Sequence, residues 1–258
     1  MKIVNNLKKC FITIPLALLV NVQCLRKLEK GDLEDSFSNM YIQSFTSVLK
    51  VAAANNRILV LSFLGLAFLF ILAMIFGMDL YKEVYSTGIY VLTRTRKKKK
   101  WFLQLILKLG LKCTFSAMIY AGCVAILYWY QTDCFFDKNG IRAYYIAVLF
   151  VAYNIFFIAL IINFVSIVKN SSYGVFSGAF ALVVMLLYVL YYTWIPGIGA
   201  HVKAMYLVPI SITNLYFETN LSTIMGVLFY LVGILMPFVG YMLYYFEKMD
   251  VNLTESDG

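Results

Sequence analysis

The chain predicts an all-α polytopic membrane protein with six transmembrane helices and cytoplasmic N and C termini. Three observations carry that prediction. Of its 258 residues, 62% are hydrophobic and only 14% charged, and the mean hydropathy is +0.80. A soluble fold of this size does not hide so much apolar surface. Apolar runs also recur at lengths near the roughly 20 residues that a bilayer-spanning helix needs. Between two of these runs lie Arg94, Arg96 and Lys97 to Lys100. Loops rich in Lys and Arg stay on the cytoplasmic side of a membrane, so this cationic run sets the orientation. The polar stretches are too short to fold separately, and residues 1–258 read as a single transmembrane domain.

The first apolar run, Phe11 to Leu25, follows Lys8 and Lys9 and is short. A signal peptide has the same basic start and apolar middle. The residues Asn21 to Cys24 offer no clean small-x-small cleavage site, which favours a retained span whose shortness local thinning or snorkelling accommodates. An outer segment follows, Ser36 to Ala54. Its Phe37, Met40, Tyr41, Phe45, Val48 and Leu49 recur at three- and four-residue steps, as in an amphipathic helix on the membrane surface.

The second span is Ile58 to Leu80 and the third Phe102 to Tyr130. Lys108 and Lys112, near the start of the third, are placed to snorkel to the cytoplasmic interface. The fourth span, Ala143 to Val168, and the fifth, Tyr173 to Trp194, are separated by the polar break Lys169 to Ser172. In Ile195 to Tyr216, Pro196, Gly197 and Gly199 stop a helix, and Pro209 interrupts the apolar stretch after it. That pattern predicts a re-entrant helical hairpin dipping into the outer leaflet, with its irregular backbone buried in protein or lining a wet cavity. Thr223 to Phe246 is the sixth span, and a polar tail closes the chain. With the termini inside, Lys and Arg are only moderately more frequent on the cytoplasmic side, and the dense run at 94–100 decides the orientation.

Little in the sequence points to catalysis. His201 is the single histidine; HExxH, CxxC and Walker A motifs are absent, and the five Cys have no metal-ligand spacing. The chain is therefore not expected to be an enzyme or to hold a metal or cofactor. Asp79 is the only carboxylate near a span. Asn154 and Asn163 lie deep in the fourth span, where Asn more often makes an interhelical hydrogen bond than a substrate contact. The 20 Tyr and 21 Phe suit an amphiphile path, but aromatics also pack cores and mark interfaces in most membrane proteins.

Glu83, Thr87 with Gly88, the basic turn Arg94, Arg96, Lys97, Lys98, Lys99 and Lys100, then Trp101, Phe102 and Lys108 form an ordered series. In order and spacing it resembles the cytoplasmic loop of the membrane subunit of a type-2 ABC exporter, of the small bacterial peptide-export or bacteriocin-immunity kind. The broken hairpin between the fifth and sixth spans matches that family's outer re-entrant helices. The topology covers nearly the whole chain, whereas the motif covers only the loop. The sequence departs from the family pattern in its sparse acidic stretch before Thr87, its short first span and its four consecutive lysines.

The resemblance implies a mechanism. Tyr81 to Leu92 would form a coupling helix, with Tyr81, Glu83, Val84, Tyr85, Gly88, Ile89 and Tyr90 docking on a separate ABC ATP-binding subunit; interface cores favour such aromatics. Two copies of the chain, as a homodimer, and two ATPase copies would make the working unit. ATP and Mg would bind the partner subunit and none would bind this chain. The cargo would be an amphipathic peptide, toxin or antimicrobial, or a lipid-like molecule, moved across the cytoplasmic membrane. The cations after the coupling helix would pair with anionic membrane lipid, at about 1 kcal/mol each, with no nucleic acid as partner. The alternative is a stand-alone membrane immunity, sensor or channel protein without an ATPase.

Overall fold

The computed structural model describes residues 11–18, 56–88, 98–132, 138–194, 212 and 220–248. Among these residues the secondary structure is helical, with no strand. Residues 13–18 of the first apolar run are helical; the rest of that run, the segment 36–54 and residues 89–97 lie outside the described residues. So do Pro196, Gly197, Gly199, His201 and Pro209 of the expected outer hairpin.

Helix α1 runs Asn56–Gly77. It is followed by the short helix α2, Asp79–Glu83, and a single π-helical turn, Val84–Gly88. The long helices are α3, Lys98–Thr132; α4, Lys138–Val168; α5, Ser171–Trp194; and α6, Leu221–Lys248. Three of them, at Lys98–Tyr130, Lys138–Val168 and Leu221–Lys248, are long and apolar enough to cross a membrane. Within α5 the stretch Ser171–Met185 is a shorter apolar helix. These lengths and compositions are those of an α-helical membrane protein.

Local chemistry sets the element ends. Asn170 stands between α4 and α5, and its Oδ1 accepts the Tyr173 N–H at 3.1 Å, an N-cap that starts α5 at once. Asn220 does the same for α6, accepting the Ser222 N–H at 3.0 Å. The second span was expected to continue to Leu80, but α1 ends at Gly77. Met78 has φ −106° and ψ −1°, which turns the chain out of the α1 axis before α2 begins. The coupling helix was expected from Tyr81; helical structure begins at Asp79 instead and opens into the π turn at Val84.

Helix α4 is central. It packs on α1, α3 and α5, and its buried residues Ala147, Val151, Ile155, Ile158 and Ile162 recur at three- and four-residue steps along one side, while Tyr145 and Leu149 of the other side are exposed. In its most apolar window 61% of the residues are buried, against 17% in that of α6. Helix α6 keeps Phe229, Val232, Met236, Tyr241 and Tyr244 exposed, and its main contact is with α3. Rings join the helices elsewhere, as where Phe68 of α1 stacks on Tyr120 of α3 with centroids 4.0 Å apart.

Candidate functional site

The polar chemistry of the described residues converges on the elbow formed by Met78, α2 and the π turn. Helix α2 touches α1, α3 and α4. Its N-terminal residue Met78 provides no side-chain cap, so the first amides of α2 need acceptors from elsewhere. Asn163 supplies one: its Oδ1 accepts the Tyr81 N–H at 3.0 Å. The other half of the same amide donates to the Ala159 carbonyl at 2.8 Å, which fixes its orientation. Asn163 is fully buried. A helix of the bundle thus caps the elbow from 82 residues away in sequence. Ser166, one turn further along α4, directs its hydroxyl at the Met78 thioether, 3.9 Å away.

The second tie is ionic. Lys112 Nζ of α3 lies 2.7 Å from Asp79 Oδ2, with both side chains largely shielded. Lys112 was expected to snorkel to the cytoplasmic interface; in the structure its ammonium meets Asp79. Two rows of charge therefore face each other, since Asp79 and Glu83 are one turn apart on α2, and Lys112 and Lys108 one turn apart on α3.

Orientation of the elbow follows from burial. Leu80 and Val84 are buried in the bundle at 3% and 2% exposure, while Lys82 and Ser86 are exposed and Glu83 and Tyr85 half-buried. Val84, expected among the docking anchors, is thus already enclosed by its own chain. Tyr81 packs against the core and lies with its ring 4.5 Å from that of Tyr85. Gly88 closes the π turn, and Ile89, Tyr90, Arg94, Arg96 and Lys97 lie outside the described residues.

At the start of α3, Lys98 is half-buried and Lys99 and Lys100 are exposed. Lys99 pairs with Glu247 of α6 at 2.7 Å. Phe102 stacks on Phe246 at 4.3 Å, and Trp101 lies 5.9 Å from the same ring. The aromatic pair after the basic run is thus the seat for the end of α6. Lys108 is exposed, and among the described residues no carboxylate forms an ion pair with it.

Three glycines escaped the sequence reading. Gly174 and Gly178 of α5 face Ile162 and Ser166 of α4, where added Cβ atoms would collide with Ser166 Oγ and with Ile162 Cγ1. Gly77 of α1 meets the same Ile162 from the other side, with a Cβ position 3.0 Å from its Cδ1. The G-x-x-x-G spacing at 174–178 was the available signal, since it marks close helix approach in membranes. Asn163 was correctly expected to bond between elements, whereas the described bond of Asn154 runs to Phe150 of its own helix, at 2.8 Å. No group of three or more His, Cys, Asp or Glu able to hold a metal occurs among the described residues. No family model, curated protein or solved structure matches the chain.

Proposed function

We propose that this chain is the transmembrane subunit of an ATP-driven exporter of the type-2 ABC kind, with ATP hydrolysed by a separate subunit. The supporting observation is the anchored elbow. A segment that passes on mechanical work must be held to the helices it moves, and must leave another face free for the motor. Here Asn163 and Asp79–Lys112 tie α2 to α4 and α3, while Lys82 and Ser86 are exposed and Tyr85 is half-buried beside Tyr81. On this reading Tyr85 and Lys82 replace Val84 as described docking residues, alongside Ile89 and Tyr90 of the adjoining segment.

Six spans with cytoplasmic termini remain the proposed topology, and two copies with two ATPases the working unit. Force on the elbow would reach α3 through the ion pair and α4 through the Asn163 amide. The cargo in this reading is amphipathic, a toxin-like or antimicrobial peptide before a lipid. Phe229, Tyr230, Tyr241 and Tyr244 give α6 an exposed aromatic face that such a molecule could follow.

Purification of the tagged chain in mild detergent from its native operon tests the proposal. An ATP-binding subunit should co-elute in equal numbers, and Tyr85→Glu should release it while membrane insertion persists. Asn163→Leu should keep the partner bound but separate ATP turnover from transport, because the cap on Tyr81 is lost. A chain that elutes alone from several detergents, in membranes without the associated ATPase activity, would replace this proposal with the stand-alone immunity, sensor or channel protein.

A further inference from the structure

One side of α3 is apolar and uncovered for longer than a bilayer needs. Leu103, Leu107, Leu111 and Phe115 are exposed at four-residue steps, and the same side continues through Met118 to Trp129. From Leu103 to Trp129 a rise of about 1.5 Å per residue gives about 39 Å, against about 30 Å of hydrocarbon. Trp129 is the residue type expected at a membrane–water boundary, which sets the other boundary about 20 residues away, near Leu109. Leu103 and Leu107 then reach into the headgroup layer. Beside them, between α2 and α3, opens a cavity of about 380 Å³, with Lys108 and Lys112 on its α3 wall. Asp79 and Glu83 stand on its α2 side, and neither is a free anion: Asp79 holds Lys112, and Glu83 has an interaction of its own. Lys108 differs from all three, being exposed and without an ion pair to any described carboxylate.

We propose that this cavity binds the phosphate of an anionic phospholipid, whose acyl chains lie along Leu107 and Leu111. Water at this depth would leave the leucines uncovered, and hydrocarbon would leave the Lys108 ammonium without an anion. An amphiphile with a negative head meets both needs at once. Leu107 and Leu111 are 59% and 72% exposed directly beside the cation. Lys108 and Lys112 are one turn apart, about 5–6 Å between Cβ atoms, so the two free oxygens of one phosphate diester can bridge them. Lys112 has donors to spare, since an ammonium carries three N–H groups and its bond to Asp79 uses one. A zwitterionic headgroup is disfavoured, because it brings a cation to a wall whose carboxylates are both engaged. The site holds one lipid in a fixed place, which sets it apart from diffuse attraction between the basic turn and a charged surface.

The inference depends on the chain spanning a membrane and not on a transport role; a stand-alone protein would bind the same lipid. The test is native mass spectrometry of the full chain taken from bilayers of phosphatidylglycerol mixed equally with phosphatidylcholine. The wild-type chain should retain one phosphatidylglycerol after the other lipids are stripped, and excess glycerol phosphate should not displace it. Lys108→Gln should lower that retention about tenfold, the loss of one charge-assisted hydrogen bond, while Lys108→Arg keeps it. Lys169→Gln removes an equal charge from an exposed cation at the end of α4 and should leave retention unchanged. Equal retention of both lipids by the wild type, or unchanged phosphatidylglycerol on Lys108→Gln, would overturn the site. Equal losses in Lys108→Gln and Lys169→Gln would reduce it to diffuse attraction. Displacement by glycerol phosphate would overturn the lipid as occupant, and lost retention in Lys108→Arg would overturn the role of the Lys108 charge.

Discussion

Helices α5 and α6 both lie against α4, yet they meet it in opposite ways. On the α5 side the backbones themselves approach. The Cβ position of Gly174 lies 2.6 Å from the Ile162 carbonyl oxygen, and that of Gly178 lies 2.7 Å from Ile162 Cδ1. On the α6 side rings hold the helices apart and fill the space. Phe164 meets Phe238, Tyr241 and Tyr245 edge-on at 5.7 to 5.8 Å, and the Tyr153 hydroxyl donates to the Leu231 carbonyl at 2.7 Å. Added Cβ atoms at Gly226, Gly233 and Gly240 of α6 would meet nothing within 4 Å. Helix α6 also carries Pro237 in its interior, which removes one backbone bond and favours a bend. The first interface has one geometry because backbone cannot turn aside. The second can change by small rotations of rings. In the exporter reading α1, α4 and α5 would move as a block with the elbow, and α6 would adjust against it.

The largest expected effect breaks the comparison if it fails. Gly174→Leu drives a branched side chain into Ser166 and the α4 backbone, a cost above the about 1–3 kcal/mol of ordinary overpacking because the Ile162 carbonyl cannot turn aside. Monodisperse folded protein should be lost on size-exclusion chromatography in detergent. Gly178→Ala should do less harm, since its obstacle is a side chain, and Ile162→Val should partly restore it. Gly233→Ala, by contrast, should leave the thermal midpoint unchanged or raise it, as Ala outranks Gly in a helix by about 1 kcal/mol. If Gly174→Leu and Gly233→Ala behaved alike, the distinction between the two interfaces would be gone.

Phe246→Ala comes next. Phe246 is almost fully buried and meets both Phe102 and Trp101, so its loss should cost about 3 kcal/mol. The comparison is sharpened by where that loss is felt. Limited proteolysis or hydrogen exchange should show α6 loosened while α4 and α5 stay protected. Loosening spread evenly over all three helices would mean that α6 is not a separable element.

Much of the helical pattern was legible in the sequence because apolar runs of spanning length need no tertiary information. Each of the spans expected from Phe102, Ala143, Tyr173 and Thr223 is matched by a helix that begins slightly earlier. The exact end of α1 was not legible. Its apolar run continues to Leu80, and the break falls at Met78, next to a Gly77 that Ile162 of α4 approaches closely. The same limit applies to the elbow. Asp79 and Lys112 were both visible as unusual charges, but they are 33 residues apart, and only the fold of α1 against α3 brings them together. For Asn163 the residue type announced a bond between elements without naming its partner, because an Asn amide serves a backbone N–H on any neighbouring helix equally well.

The smallest effect separates charge from rings as the fastening of α6. Lys99 and Glu247 lie 2.7 Å apart, but their side chains are 55% and 50% exposed. A pair so open to water gains little, typically about 0.2–1 kcal/mol, and loses part of that as salt screens it. A double-mutant cycle with Lys99→Gln and Glu247→Gln, read as the thermal midpoint at low and high salt, isolates the coupling from other effects of each change. The coupling should lie within that range and shrink with salt, far below the cost of Phe246→Ala. A larger, salt-resistant coupling would mean that the basic start of α3 holds the end of α6 by charge. The rings of Trp101 and Phe102 would then be packing around an electrostatic joint, and α6 would lose the rotational freedom that distinguishes it from α5.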